Sequence, residues 1–368
     1  MKVPFVDLKL QYRSIKTDID RAAESVFECG RFIGGEFVHQ FESTFASLLK
    51  VNHCIGVGNG TDAILIALKS IGIAPGDEVI TPAFGWISSS EMITLAGGKP
   101  VFADILPETY TIDPSDIEAR ITPRTKGVVL IHLYGQAAHA HQIKRICEKN
   151  NLFLIEDCAQ AHLTEENGIS VGRIGDAGTF SFYPTKNLGA YGDAGCIITR
   201  RDDLEKKMRL YANHGGLHQH ITEGINSRLD PLQASMLMAK CSYLPRWTDQ
   251  RIAHAKLYTS LLAGVQQITL PKVRPYTTHT FHQFVIRVRR RDDLKNFLAE
   301  NGIETVVHYP AALHNLMAYE YLKYGSDDFP VASQCQNEVL SLPVYPELSS
   351  DQIAYVCDAI KTFFAQPL

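Results

Sequence analysis

The chain has 368 residues, enough for two domains and for an apolar core that needs neither disulfides nor a structural metal. Its 36 basic and 40 acidic residues leave a formal charge of −4, which argues against a protein built to coat nucleic acid or a membrane surface. No apolar run reaches the length of a spanning helix, and the start, Met1-Lys-Val-Pro-Phe-Val-Asp-Leu-Lys9, lacks the apolar stretch of an export signal. The eight cysteines form no Cys-x-x-Cys pair. They are expected to be free, mostly packed thiols of a cytoplasmic protein.

In chain order, Ile15, Ile19, Ala22, Ala23 and Val26 share one helical face, and Phe37, Phe41, Phe45, Leu48 and Leu49 share another. His53–Val57 reads as a strand, after which Gly58-Asn59-Gly60-Thr61 opens a helix. Glu78–Thr81 is a strand, Trp86–Leu95 a helix, and Pro100–Asp104, Gly127–Leu133 and Leu152–Ile155 are further strands. Asp113-Pro114 is a helix cap with proline in the first turn. This alternation predicts an α/β fold whose large domain, residues 1–245, carries a mixed but mostly parallel sheet flanked by helices. The rhythm changes at Asp230-Pro231, where a helical stretch begins that Pro245 kinks or breaks. A strand at His282–Val288, a helix at Arg291–Asn301, a strand at Ile303–Tyr309 and a helix at Ser350–Phe364 predict a smaller C-terminal α+β domain, residues 246–368.

Three segments carry chemistry. Gly58-x-Gly60-x-x-Ala63 lies between a strand and a helix, where helix-terminal N–H groups can hold a phosphate. A dinucleotide site also needs an acidic residue ending the next strand, whereas Glu78 precedes that strand. The strand Leu152–Ile155 runs into Glu156-Asp157-Cys158-Ala159-Gln160, and the carboxyl ends of parallel strands are where ligands bind in open α/β sheets. A plain helix cap is the competing reading of Asp157. Lys186 stands alone in the Pro/Gly-rich loop Tyr183–Gly192. Most lysines are solvated charges, but apolar, glycine-rich flanks can desolvate an amine and make it a nucleophile. His139-x-His141 and His218-x-His220 have no carboxylate framework around them, so no metal site is expected.

Phosphate cradle, strand-end aspartate and loop lysine, in that order, resemble pyridoxal-phosphate enzymes of the aspartate-aminotransferase fold. The chain is more closely similar to the DegT/DnrJ-type nucleotide-sugar aminotransferases. The likeness rests on Val3–Lys9 with Tyr12, Gly58–Ala63, Glu156–Ala161, Ser181–Gly189, Gly192–Gly195 and Asn226–Ala234. It implies that Lys186 links to the cofactor and moves protons, and that Asp157 pairs with the ring nitrogen. It implies that Gly60, Thr61 and Ser181 hold the phosphate, that Trp86 lies against the ring and that Gln160 sits near it. Asn226 would reach the phosphate of a neighbouring subunit, and Arg228, His308 and Tyr309 would face the sugar nucleotide. Cys158 replaces a common alanine, and Gly85-Trp86 a common Thr-Phe or Thr-Tyr, which could reshape the pocket.

The expected activity is transfer of an amino group from L-glutamate to a nucleotide-linked keto sugar by a homodimer, with pyridoxal 5′-phosphate as cofactor. Leu133–Gln136, Tyr183–Tyr191 and Asn226–Asp230 favour a 3-keto carbon, with a 4-keto substrate as the alternative. A dinucleotide-dependent oxidoreductase and a non-catalytic regulator are the rivals outside this class. The misplaced Glu78 weighs against the first, and retention of Lys186 against the second.

Overall fold

The computed structural model describes residues 1–216, 218 and 220–365. Seven strands form the main sheet: β1 (His53–Val57), β2 (Glu78–Pro82), β3 (Lys99–Ala103), β4 (Thr125–Ile131), β5 (Phe153–Asp157), β6 (Ala177–Ser181) and β7 (Gly195–Thr199). Their order is β1-β7-β6-β5-β4-β2-β3. β2, β3, β4, β5 and β6 run parallel, and β7 is antiparallel to both β6 and β1. The mixed, mostly parallel sheet of the sequence reading is therefore present. β2 and β7 are buried along their whole length, as expected where both faces of a sheet are covered.

Helices precede the sheet and cover it. They are α1 (Leu8–Ser14), α2 (Lys16–Cys29), α3 (Glu36–Leu49), α4 (Gly60–Ile71), α5 (Ser88–Ala96), α6 (Pro114–Arg120), α7 (Ala140–Lys149), α8 (Asp202–Ala212) and α9 (Pro231–Cys241). α4 starts where the sequence places it, because Asn59 caps it by accepting the Asp62 N–H at 2.8 Å. α6 starts after Asp113 with Pro114 in its first turn. Pro245 breaks the next helical stretch. α9 ends at Cys241, and α10 (Leu244–Leu262) begins with the proline in its first turn, where the missing N–H costs nothing.

Of the remaining helices, α11 (Arg291–Glu300), α12 (Pro330–Glu338) and α13 (Ser350–Ala365), α12 buries Ala332 and Cys335 in a cluster with Phe84 and Phe102. The other two build a second core with α10 and an antiparallel sheet of β8 (Ile268–Thr269), β9 (Phe284–Val288) and β10 (Val339–Leu342). Tyr258, Phe284, Ile286, Leu294, Leu340 and Ile360 are buried in it. Val3 joins this core from the other end of the sequence, its N–H bonded to the Gly302 carbonyl and its carbonyl to the Glu304 N–H, both at 2.9 Å.

Three expected boundaries change. Residues 303–309 do not form a strand. The backbone there bridges Val3 at Ile303 and Ser341 at Val306, so its partners change before a ladder can form. β4 stops at Ile131, and Leu133–Gly135 makes a tight turn in which Tyr134 takes a left-handed conformation. α5 starts at Ser88, leaving Trp86 in the preceding loop beside Gly85, whose φ of +155° is costly for any other residue. The cysteines are free, and seven of the eight are buried.

Candidate active site

The carboxyl ends of β4, β5 and β6 and the start of α4 meet at one place. An α-helix cannot bond its first N–H groups internally. Asn59 takes that of Asp62, and those of Gly60 and Thr61 have no partner among the described residues. Gly60 packs so closely on β6 that a Cβ there would lie 2.6 Å from the Ser181 Cβ. Only glycine lets the helix start approach the Ser181 hydroxyl, and the result is a concave set of donors suited to a phosphate. Thr61 Oγ1 is 2.8 Å from Ser88 Oγ, which ties the cradle to α5.

Asp157 ends β5 and is 6 % exposed. Ser89 Oγ donates to its Oδ2 at 2.8 Å, and the Ala159 N–H donates to Oδ1 at 3.0 Å. Burial raises its pKa, partly offset by these two donors and by the nearby charge of Lys186. Burial also lowers the Lys186 amine to about 8, against the pull of Asp157. The loop that carries the lysine is a tight turn, with the Lys186 N–H bonded to the Tyr183 carbonyl at 2.8 Å. Next to it, Asn187 donates to the Thr280 carbonyl at 3.2 Å and faces His282 Nδ1 at 3.2 Å, which fastens the loop to the C-terminal part.

Gln160 bridges two walls of the cleft. Its Oε1 accepts the Tyr134 N–H at 2.7 Å, and its Nε2 donates to the Tyr309 hydroxyl at 2.9 Å. Tyr134 in turn donates its hydroxyl to the His308 carbonyl. Trp86 is 58 % exposed and its ring centroid is 5.7 Å from that of Tyr309, so it lines an opening and is not a core residue. His308 Nδ1 is 2.8 Å from Ser341 Oγ, and burial holds this imidazole neutral, its pKa lowered to about 4.

The structure thus joins Gly60 with Ser181, Thr61 with α5 beside Asp157, and Gln160 with Tyr309 and Trp86. Asn226 and Arg228 stand apart from this set. Asn226 is exposed and bridges Asn213 through the backbone, and Arg228 lies 3.4 Å from Asn213 Oδ1. Between them, Ser227 Oγ accepts the Gly58 N–H at 3.0 Å, so this segment borders the phosphate cradle of its own chain. Ser88, Ser89, Tyr134 and Asn187 were not singled out from the sequence. The run Ser88-Ser89-Ser90 at a helix start was the available signal for the first two. Glu78 sits at the amino end of β2, held by Arg124 at 2.7 Å and by Thr122 at 2.6 Å. It faces away from the end of the sheet where a dinucleotide ribose would lie.

Among the described residues no helix is long and apolar enough to cross a membrane, and no group of three or more His, Cys, Asp or Glu is arranged to hold a metal. A pleiotropic regulatory protein of Geobacillus stearothermophilus is 45 % identical over 99 % of both chains. The dTDP-3-amino-3,4,6-trideoxy-α-D-glucose transaminase of Streptomyces venezuelae is 37 % identical, covering 98 % of this chain and 96 % of its own. The crystal structure of S. venezuelae DesV with a ketimine intermediate superposes with a TM-score of 0.98 over 100 % of both chains, at 37 % identity. The model of the DegT/DnrJ/EryC1/StrS aminotransferase family matches residues 13–361, and the chain belongs to that family.

Proposed function

We propose that this chain is a nucleotide-sugar aminotransferase that carries an amino group from L-glutamate to the 3-keto carbon of a nucleotide-linked sugar. Enzymes of this family use pyridoxal 5′-phosphate, and the donor set here fits that group. Gly60, Thr61 and Ser181 suit its phosphate, Asp157 its ring nitrogen and Lys186 its carbonyl carbon. When bound, the cofactor supplies an electron sink that lets a carbon bearing an amino group give up a proton.

The protein's own part follows from the geometry. Lys186 has its amine lowered to about 8, so a useful fraction is unprotonated near neutrality, free to attack a carbonyl and to take or return a proton at Nζ. Asp157 would hold a ring N–H without moving, because Ser89 and Ala159 fix both of its oxygens. Gln160 and Tyr309 close one wall, and the exposed Trp86 lines the mouth of the cleft. Arg228, His308 and Tyr309 are the residues assigned to the sugar nucleotide. The division at residue 245, the cytoplasmic location and a homodimer in which Asn226 serves the partner's phosphate belong to the same reading. The 3-keto assignment draws on the kinship with a 3-amino-sugar transaminase.

The observation that carries the proposal is the meeting of a lowered-pKa lysine with a buried, doubly held aspartate beside a glycine-built anion cradle. The test is a panel of 3-keto and 4-keto sugar nucleotides offered with glutamate, scored by mass spectrometry for the aminated product. Amination of the 3-keto members supports the reading. A preference for 4-keto members overturns the positional part. A purified protein that never acquires a borohydride-bleachable yellow colour overturns the whole, and leaves the regulator reading that the Geobacillus relative's name suggests.

A further inference from the structure

Lys240 is a second enclosed lysine, and the chemistry proposed above does not use it. It lies on α9 with 1 % of its surface exposed. Its amine has three acceptors around it. The Gly189 carbonyl is 2.7 Å away, Gln11 Oε1 is 3.3 Å away, and the centroid of the Tyr191 ring is 3.9 Å away. An ammonium carries three N–H donors, so this set offers each of them a partner, while burial lowers the amine to about 8 against the pull of Glu347.

Two of those acceptors, Gly189 and Tyr191, belong to the loop that carries Lys186. Gln233, two turns earlier on α9, adds a third tie by accepting the Tyr191 N–H at 2.8 Å. The loop has little slack. A Cβ on Gly189 would lie 2.2 Å from the Pro184 carbonyl oxygen. The Lys186 N–H closes the same turn on Tyr183. A shift of Gly189 is therefore passed to Lys186 with little loss.

We propose that Lys240 is a positioning residue for the reactive lysine: its ammonium latches the Gly189 carbonyl and the face of Tyr191 onto α9 and α1, and so fixes where the Lys186 amine stands. This rests on the assignment of Lys186 made above. The latch depends on charge, since an ammonium binds a carbonyl and an aromatic face more strongly than a neutral donor does. Methionine at this position keeps the apolar stem and loses both contacts.

The test compares Lys240→Met and Lys240→Arg in the full chain. Hydrogen exchange of residues 183–192 is read on the cofactor-free protein, and the pH midpoint of visible absorbance on the loaded one. Lys240→Met is expected to speed exchange in the loop by about tenfold, the loss of one charged hydrogen bond, and to move the midpoint. Lys240→Arg is expected to recover part of both. A residue that only stabilised the fold would change the melting temperature and leave the midpoint in place, and that result overturns the proposal. Should Lys240→Met fail to fold, Tyr191→Leu removes the ring alone and is expected to move both readouts the same way, while Tyr191→Phe leaves them at wild-type values. Wild-type values for Tyr191→Leu overturn the latch. Borohydride reduction with peptide mapping separates the two assignments. Label on Lys186 with unchanged loop exchange overturns the latch alone, whereas label on Lys240 overturns the assignment beneath it as well.

Discussion

The carboxylate of Asp157 is held by two neutral donors, Ser89 and the Ala159 N–H, in a buried place that raises its pKa. A positively charged ring nitrogen supplies the partner that would make this carboxylate comfortable as an anion. Asp157→Asn keeps the shape and removes the negative charge that would pair with that nitrogen. We expect cofactor to be retained while kcat falls by about a hundredfold or more, the size of a lost electrostatic contact at the reacting group. Near-normal turnover with full cofactor content would take Asp157 out of the chemistry. Lys186 gives a pH dependence with a definite sign. Its amine reacts when unprotonated and titrates near 8, so attachment of pyridoxal phosphate to the cofactor-free protein should quicken by roughly tenfold per pH unit up to that point and level off above it. Stopped-flow absorbance measures this, and a rate still climbing above pH 9.5 would show an ordinary, solvated lysine. At this scale the sequence was legible for Asp157, which ends a recognisable strand, and for Lys186, which stands alone in the Pro/Gly-rich loop that follows another. Ser89, Asn187 and Lys240 were not legible. Their partners, Asp157, Thr280 and Gly189, lie 51 to 93 residues away, and only the fold brings them together.

At the next scale, β4 and β5 are joined at their carboxyl ends by a buried carboxylate. Glu156 accepts N–H groups from Gly172, Ile174 and Gly175 at 2.9, 2.8 and 2.6 Å, and its Oε2 lies 3.0 Å from His132 Nε2. His132 Nδ1 accepts the Ala138 N–H at 3.0 Å, so Nε2 carries the proton and donates. A side chain that only accepts is required. Glu156→Gln places an amide N–H₂ against donors and should cost about 3 kcal/mol, measured by chemical denaturation. A loss under about 0.5 kcal/mol, the size of an ordinary surface substitution, would mean the loop at 172–175 is held by something else. Gly60→Ala tests the close approach of α4 to β6. Its Cβ would meet the Ser181 Cβ at 2.6 Å and the Ser181 Cα at 3.1 Å, so the helix start must move off β6: the melting temperature should fall and binding of pyridoxal phosphate should weaken by about tenfold or more. Titration of the cofactor-free protein checks it. The strand and helix rhythm of the first two thirds was legible because each strand there is bounded by turn or cap residues. Residues 303–309 were misread because their apolar alternation looks like a strand, while their backbone partners, Val3 and Ser341, come from opposite ends of the sequence.

For the molecule as a whole, Phe27, Phe32 and Ile33 are 60, 51 and 54 % exposed and close together in sequence, Phe27 and Phe32 with ring centroids 6.3 Å apart. Apolar surface of this kind is normally covered by another chain. Together with the exposed Asn226, it motivates the shared-site dimer. Mixing Lys186→Ala with Asn226→Ala subunits should regain up to about a quarter of wild-type activity, since half of the dimers are mixed and each of those holds one intact site. No recovery between variants shown to exchange subunits would place Asn226 in its own chain's site. The second core has a different consequence, one of timing. Val3 is buried against residues of the last third of the chain and hydrogen-bonds Gly302 and Glu304. At about 5–20 residues per second, a ribosome needs roughly 15–60 s to travel from codon 3 to codon 303. Throughout that interval Val3 lacks the partners it packs on in the folded chain. The main sheet can assemble meanwhile, so Val3 has to wait for partners that are made long after it before it can reach its place.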